Sequence, residues 1–175
     1  CKPHFNSFVA TFCYKILINH NPEIIQDSKV PLIYIENLIK HIVKNIQSEN
    51  KVKQNYISSD IKIKVSEVLK LLKHFKHSYL KDNTLPLFNN SFEFDLFNTF
   101  RGYIDLEKNY PISLKKQSDE RGFFSEILRT ESGGQFSYSI TLPGITRGNH
   151  FHTRKIERFT VLNGEAKISL RKIGS

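Results

Sequence analysis

The sequence has no methionine and no tryptophan, and only two cysteines, Cys1 and Cys13, among its 175 residues. Two cysteines cannot build a disulfide framework, so the composition is typical of a reducing compartment, and we expect a cytoplasmic protein. No apolar run approaches the roughly 20 residues of a membrane-spanning helix, and no signal peptide opens the chain. A cytosolic chain without an initiating methionine is either processed or a fragment, and we expect a fragment.

Glycine is almost missing from the first part of the chain, where only Gly102 occurs before residue 111; the other seven glycines follow it. Helical spacing of apolar residues dominates before this point, and alternation of apolar and polar residues dominates after it. Hydrophobic residues make up 39% of the chain, enough for a packed core. We therefore predict an α+β chain in two parts, with domains over residues 1–106 and 111–175.

A local concentration of charge is also missing, although the net charge is +9. Residues 1–110 contain 15 basic and 11 acidic residues, and residues 111–175 contain 11 and 6. A nucleic-acid-binding protein would gather its positive charge on one face, so we predict no nucleic-acid partner. A spread excess is typical of solvated surface, and it would also favour an anionic small substrate such as a sugar nucleotide.

The first part is predicted to be mainly helical. Asn6 or Ser7 can cap a helix that begins at Phe8 and ends before Pro22. Apolar stripes predict further helices over residues 36–47, from residue 66, and over residues 91–103. Two short segments have the pattern of strands, residues 32–35 and 57–65.

The second part is predicted to be all β. Short strands alternate with turns that contain glycine, which suggests a sandwich or a small barrel. In the last strand Ala166, Ile168 and Leu170 alternate with polar residues, a pattern that predicts one buried and one solvated face. The predicted strands cover residues 112–116, 123–128, 135–142, 158–162 and 165–172.

Residues 143–164 carry the pattern that points to chemistry. His150 and His152 alternate on a predicted strand, so both side chains should point to one face, and Glu157 follows five residues later. Two imidazoles and a carboxylate can bind a divalent metal and leave coordination positions open. In the alternative, the histidines are surface residues of the strand and Glu157 pairs with Arg154 or Arg158.

Together with Gly144 and Gly164, these residues resemble the first motif of the cupin superfamily at full spacing. The resemblance implies a β jelly roll and a divalent metal, zinc before others, held by His150, His152 and Glu157. The second cupin motif would lie beyond the last residue. The five predicted strands are fewer than the eight of a jelly roll, so we expect a truncated cupin domain.

The stretch DERGFFSE, residues 119–126, resembles the corresponding stretch of dTDP-4-keto-sugar 3,5-epimerases, which are cupins. The resemblance implies that Arg121 and Glu126 contact the nucleotide-sugar and that Phe124 lies against it. Arg147 belongs to a second matching segment, Arg-Gly-x-His. The two arginines could equally be ordinary surface cations.

In that epimerase family the histidine of the second segment, His150 here, is the base that removes the proton next to the ketone. The family carries glutamine and lysine where this chain has His152 and Glu157. The resemblance therefore implies a catalytic base and the motif implies a metal ligand, and both roles of His150 stay open.

The first part resembles the carboxyl-terminal end of extended short-chain dehydrogenase/reductases that act on nucleotide-sugars, through NSFVATFCYKI and LIYIENLIKHI. The resemblance implies a Rossmann-type domain, of which residues 1–106 are the carboxyl-terminal part, and NADPH bound by a missing preceding part. Asn6 and Ser7 match the substrate-side segment. The segment that returns to the sheet begins at Tyr34, with Asn37 where the family has a second acidic residue.

A reductase tail followed by an epimerase-like cupin resembles the bifunctional capsular-polysaccharide enzymes of UDP-N-acetyl-L-fucosamine synthesis. The resemblance implies that the whole protein epimerises carbon 3 of a 4-keto-6-deoxy-HexNAc UDP-sugar and reduces carbon 4 with NADPH, as a homo-oligomer. The fragment alone is expected to be inactive. Two alternatives stay open, a non-catalytic metal-binding or dimerisation cupin attached to a reductase and, less favoured, a mononuclear-iron oxygenase.

Overall fold

A computed structural model describes residues 2–47, 56–172 and 174, so Cys1 lies outside the described residues. The described residues contain the helices α1 Phe8–Leu17, α2 Ile35–Gln47, α3 Val65–Phe75, α4 Ser91–Arg101 and α5 Leu106–Asn109, with a π-helical turn, Lys76–Lys81, after α3. The strands are β1 Lys29–Leu32, β2 Ile61–Lys64, β3 Thr84–Leu85, β4 Lys116–Asp119, β5 Gly122–Thr130 and β6 Gln135–Thr141. The predicted α+β class is confirmed. None of the described helices has the length and apolar character needed to cross a bilayer.

Side-chain caps explain where two of the helices begin. The Ser7 hydroxyl accepts a hydrogen bond from the Ala10 N–H at 3.2 Å, so Ser7 is the cap of α1 and not Asn6, the other residue that the sequence offered. At α4 the Asn90 side chain accepts from the Glu93 N–H at 3.0 Å. These caps satisfy N–H groups that have no partner within the first helical turn.

The core of the helical part is built around Phe75 at the end of α3. Its side chain is completely buried, and the rings of Phe88, Phe97 and Phe100 lie with their centroids 5.3–6.3 Å from it. Such tilted and edge-on contacts are the preferred geometry of packed aromatic rings. The buried cluster consists of Phe12, Cys13, Ile16, Val65, Val68, Leu69, Leu72, Phe75, Leu96, Phe97, Phe100 and Ile104.

Helix α2 forms where its apolar stripe predicted, but none of its residues is buried. Ile46, near its end, is 77% exposed. The helix is fixed at its start instead, because the Asp60 carboxylate accepts hydrogen bonds from the Tyr34 N–H at 2.8 Å and the Asn37 amide at 3.0 Å. Asn37, which departs from the reductase pattern, thus donates to a carboxylate supplied by another segment.

The strands form two sheets. β1 pairs with β2 in antiparallel fashion, and the predicted strand over residues 32–35 is shifted to Lys29–Leu32 by this pairing. In the second sheet β5 is central, with β4 and β6 antiparallel to it. β3 comes from the helical part and pairs in parallel with the end of β5, so the two parts share one sheet.

Two corrections concern the predicted β part. The strand predicted over residues 112–116 lies at Lys116–Asp119, because a tight turn pairs that segment with the start of β5. The strands predicted over residues 158–162 and 165–172 are wrong, since the described residues after Thr141 form no strand. Leu170, predicted to face a core, is 90% exposed. A strand needs a neighbour for its backbone and a layer for its apolar face, and no described segment supplies either.

Candidate metal centre

His150, His152 and Glu157 converge, although not on strands. Each offers one ligand atom, and these atoms all lie within 4.8 Å of one another. The two imidazole rings are 4.7 Å apart between centroids and inclined by 73°. The predicted strand at residues 150–152 is wrong, because these residues lie in irregular backbone between left-handed Gly148 and Asn149 and a bend at residues 153–154. Glycine and asparagine tolerate that conformation best.

The carboxylate of Glu157 has a different neighbour at each oxygen. Oε2 lies 3.3 Å from His152 Nε2, and Oε1 lies 2.6 Å from Lys155 Nζ. The alternative in which Glu157 pairs with Arg154 or Arg158 is therefore not what the structure shows. As whole residues the three candidate ligands are exposed, but the side chains of His152 and Glu157 are only 33% and 27% exposed.

The charges around Glu157 favour its ionised form. The hydrogen bond from Lys155 lowers the pKa of this carboxyl group below its usual value; desolvation opposes the shift, and the charges of Lys155 and the two histidines add to it. An ionised carboxylate is the form that binds a metal. Zinc takes histidine nitrogen and carboxylate oxygen at about 2.0–2.2 Å, so donor atoms this close together fit a divalent ion.

Arg121 lies in the turn between β4 and β5, and it is held there by Asp119. The Arg121 N–H donates to one carboxylate oxygen of Asp119 at 2.9 Å, and Nε donates to the other at 3.0 Å. These hydrogen bonds lower the pKa of Asp119, and the charge of Arg147 lowers it further. Both arginines predicted to bind substrate therefore lie near one carboxylate.

Arg147 is half-buried and reaches back to the end of β6. Its Nη1 lies 3.4 Å from the Ile140 carbonyl oxygen and 3.5 Å from the Thr141 hydroxyl. Between the described residues, no hydrogen bond or ion pair joins Arg121 or Arg147 to the three candidate ligands. The structure thus forms two clusters, one of histidines and carboxylate and one of arginines.

The other predicted binding residues form two pairs, one on β5 and one at the start of α1. Phe124 and Glu126 are both half-buried on β5 and, two residues apart, face the same side of the sheet. Glu126 pairs with Arg129 at 2.7 Å. Ser7 serves as the cap of α1, and Asn6 before it has left-handed backbone.

Lys155 is the residue of this region that the sequence reasoning missed. It precedes Glu157 by two positions, the spacing at which side chains of an extended segment share a face. That spacing was a usable signal, because a lysine on the same face as a carboxylate ligand can hold one of its oxygens.

Sequence comparison indicates the class of protein to which the chain is similar. Residues 117–175 match the family described as "Polysaccharide biosynthesis C-terminal domain". This range contains the three candidate metal ligands and both arginines. The chain is homologous to proteins of polysaccharide sugar biosynthesis.

Two proteins with related sequences are similar to this chain. The chain is 30% identical to a "UDP-2-acetamido-2,6-beta-L-arabino-hexul-4-ose reductase" of Pseudomonas aeruginosa over 174 residues, which cover 98% of this chain and 46% of the relative. It is 34% identical to the "Spore coat polysaccharide biosynthesis protein SpsL" of Bacillus subtilis over 62 residues, 33% of this chain and 41% of the relative.

A solved structure matches most of the fold. The "capsular polysaccharide assembling protein CapF" from Staphylococcus aureus superimposes with a TM-score of 0.72 and 35% sequence identity, over 85% of this chain and 41% of that chain. The chain therefore spans less than half the length of the relatives that it matches.

Proposed function

We propose that this chain is part of a bifunctional nucleotide-sugar enzyme. In the whole protein, a cupin part, begun here by residues 111–175, inverts carbon 3 of a 4-keto-6-deoxy-HexNAc UDP-sugar. A Rossmann-type reductase part, of which residues 1–106 are the carboxyl-terminal portion, reduces carbon 4 with NADPH. The observation that carries the proposal is the convergence of two imidazoles and a carboxylate in a chain homologous to a hexul-4-ose reductase.

The chemistry of this reaction sets what the site must supply. A C–H bond next to a ketone is acidic because the resulting anion delocalises onto the carbonyl oxygen. Inversion then needs a base on one face, a proton donor on the other, and positive charge near the developing oxyanion. His150, His152 and Glu157 would hold a divalent ion, zinc before others, and the bound ion would supply Lewis-acid stabilisation of that oxyanion.

The arginine cluster supports a nucleotide-sugar substrate. A guanidinium group binds a phosphate through two parallel hydrogen bonds, so Arg121 and Arg147 are suited to the pyrophosphate. Asp119 now occupies Arg121, because Nε and Nη2 of the guanidinium group both donate to Oδ2 of this carboxylate. In the proposed enzyme the pyrophosphate competes with Asp119 for Arg121, while Phe124 and Glu126 of β5 contact the sugar nucleotide.

In this proposal His150 is either the catalytic base or a metal ligand. In both roles its removal should abolish epimerisation, so one experiment tests the requirement for His150. Full-length protein containing this chain is incubated with the keto-sugar nucleotide in deuterium oxide, and deuterium at carbon 3 is measured by mass spectrometry. We expect incorporation by the wild type and its loss in His150→Ala. The matched control is His77→Ala, which removes an exposed histidine paired with Asp82 in the helical part. Full incorporation by His150→Ala, or none by the wild type, contradicts the proposal.

A second candidate function is a metal-binding or dimerisation module that supports the reductase without catalysis. The exposure of all three ligand residues favours it, because catalytic electrostatics are strongest where water is excluded. Elemental analysis and the deuterium experiment, made on the same sample of purified protein, together separate the two functions. Bound metal without incorporation at carbon 3 supports the module, and bound metal with incorporation supports the enzyme.

A further inference from the structure

Lys155 contacts one oxygen of the Glu157 carboxylate, the candidate metal ligand, and the other oxygen lies beside His152. Its ammonium group lies 2.6 Å from Glu157 Oε1, whereas Oε2 of the same carboxylate lies 3.3 Å from His152 Nε2. A carboxylate can bind a metal through one oxygen or through both. With Oε1 engaged by a hydrogen-bond donor, Oε2 is the oxygen that lies beside an imidazole nitrogen, that of His152.

The backbone around this pair gives Glu157 little other support. The described residues after Thr141 form no helix or strand, so no regular element fixes the side chain. Groups that hydrogen-bond to a ligand restrict its orientation, and their loss typically weakens metal binding about 10–100-fold. An exposed carboxylate without such a partner would lose more side-chain entropy on binding the metal.

We propose that Lys155 is a positioning residue, which presents Glu157 to a divalent metal through a single oxygen. This inference rests on the metal site of the proposed function. The opposing effect is repulsion between the ammonium group and the ion, and it is weakened here because the Lys155 side chain is 55% exposed and salt screens exposed charges. We therefore expect positioning, which acts through the direct contact of Lys155 with Glu157, to outweigh repulsion.

The test is a Zn²⁺ titration of this chain against a chromophoric chelator, in wild type and three variants. We expect Lys155→Met to weaken binding about 10–100-fold, and Lys155→Arg, which keeps charge and donors, to retain most of it. The matched control is Arg154→Met, which removes a positive charge one position before Lys155. The Arg154 side chain makes no ion pair among the described residues. It should bind as the wild type does.

A second readout separates positioning from a general structural effect. Co²⁺ in place of Zn²⁺ reports the number and kind of ligands in its visible spectrum, and Lys155→Met should change that spectrum while the thermal unfolding of the metal-free chain stays the same. Unchanged or tighter binding by Lys155→Met overturns the inference and leaves the metal site intact. A wild type that binds neither ion overturns the metal site and this inference together.

Discussion

The carboxylate of Glu131 accepts a hydrogen bond from the hydroxyl of Ser78, although the two residues are 53 positions apart in the chain. The other oxygen of Glu131 accepts from the Leu87 N–H at 2.9 Å and faces His74 Nε2 at 3.0 Å. Glu131 follows β5, whereas its three partners belong to the helical part. Together with the β3–β5 pairing, this side chain ties the two parts of the chain to each other.

Replacing Glu131 by glutamine should lower the free energy of unfolding by about 1–3 kcal/mol. The amide keeps the shape of the side chain, but its NH₂ group would face hydrogen-bond donors, and the charge that strengthens these bonds is lost. Denaturant titration followed by circular dichroism measures the change. The control is Glu126→Gln: among the described residues the Glu126 carboxylate pairs with Arg129 of the same strand, whose side chain is 57% exposed, so the loss of this ion pair should matter little.

The effect of Glu131 should also depend on pH. Burial raises the pKa of this carboxyl group, but the hydrogen bonds from Ser78, Leu87 and His74 outweigh it, so the pKa is lower in the folded protein than its usual value of 4.5. A lowered pKa contributes stability above the unfolded-state pKa that is lost as pH falls through the folded-state pKa. The stability difference between wild type and Glu131→Gln should therefore be full at pH 7 and shrink below about pH 4.5. A constant difference would contradict this assignment.

Local signals in the sequence predicted much of the helical part. The cap at Ser7 and the apolar stripes located α1 to α4 because helix formation depends on residues three or four positions apart. The strands predicted after Thr141 could not be judged in this way, since a strand forms only with a distant neighbour, and the described residues there form none. For the same reason nothing near Glu131 in the sequence indicated its partners 44–57 residues away.

The residue types of the candidate metal centre could be predicted from the sequence, but the backbone conformation that brings them together could not. The spacing of His150, His152 and Glu157 indicated a shared site because these residue types are metal ligands at any backbone geometry that brings them together. The strand expected to align them is absent, and the bend after His152 brings Glu157 back instead. The contact of Lys155 with Glu157 follows from their two-residue spacing after that bend.

Replacing Gly122 by alanine should disrupt the turn between β4 and β5. Gly122 has φ +129°, and a Cβ atom placed there would lie 2.1 Å from the Ile140 carbonyl oxygen of β6. Backbone atoms cannot move aside cheaply, so the β4–β5–β6 pairing should weaken and amide exchange in β5 should rise. The control is Gly133→Ala, which shares the left-handed backbone but has no atom within 4 Å of the added carbon. Equal protection of the β5 amides from hydrogen exchange in both variants would show that close packing at Gly122 is unimportant.

Truncating Phe75 should cost more stability than truncating any exposed phenylalanine. Phe75→Ala removes a completely buried ring that contacts three other phenylalanine rings, and such changes typically cost about 3–5 kcal/mol. Phe94→Ala on α4 is the matched control, because that ring is 50% exposed. Thermal unfolding measures both. Equal losses would mean that the helical core is not centred on Phe75.

The thiol of Cys13 should be inert in the folded chain. Burial raises its pKa to about 12, and the thiolate is the form that reacts, so only roughly one thiol in 10⁴ is ionised at pH 8. The Cys13 side chain lies on the buried face of α1 and is completely buried, so a reagent cannot reach it. In a Cys1→Ser background we expect no rapid reaction with Ellman's reagent at pH 8, and one equivalent of reaction in denaturant. Because exposure of Cys13 requires α1 to leave the core, its labelling rate should rise in Phe75→Ala, and rapid labelling of the parent protein would show that α1 is not packed as described.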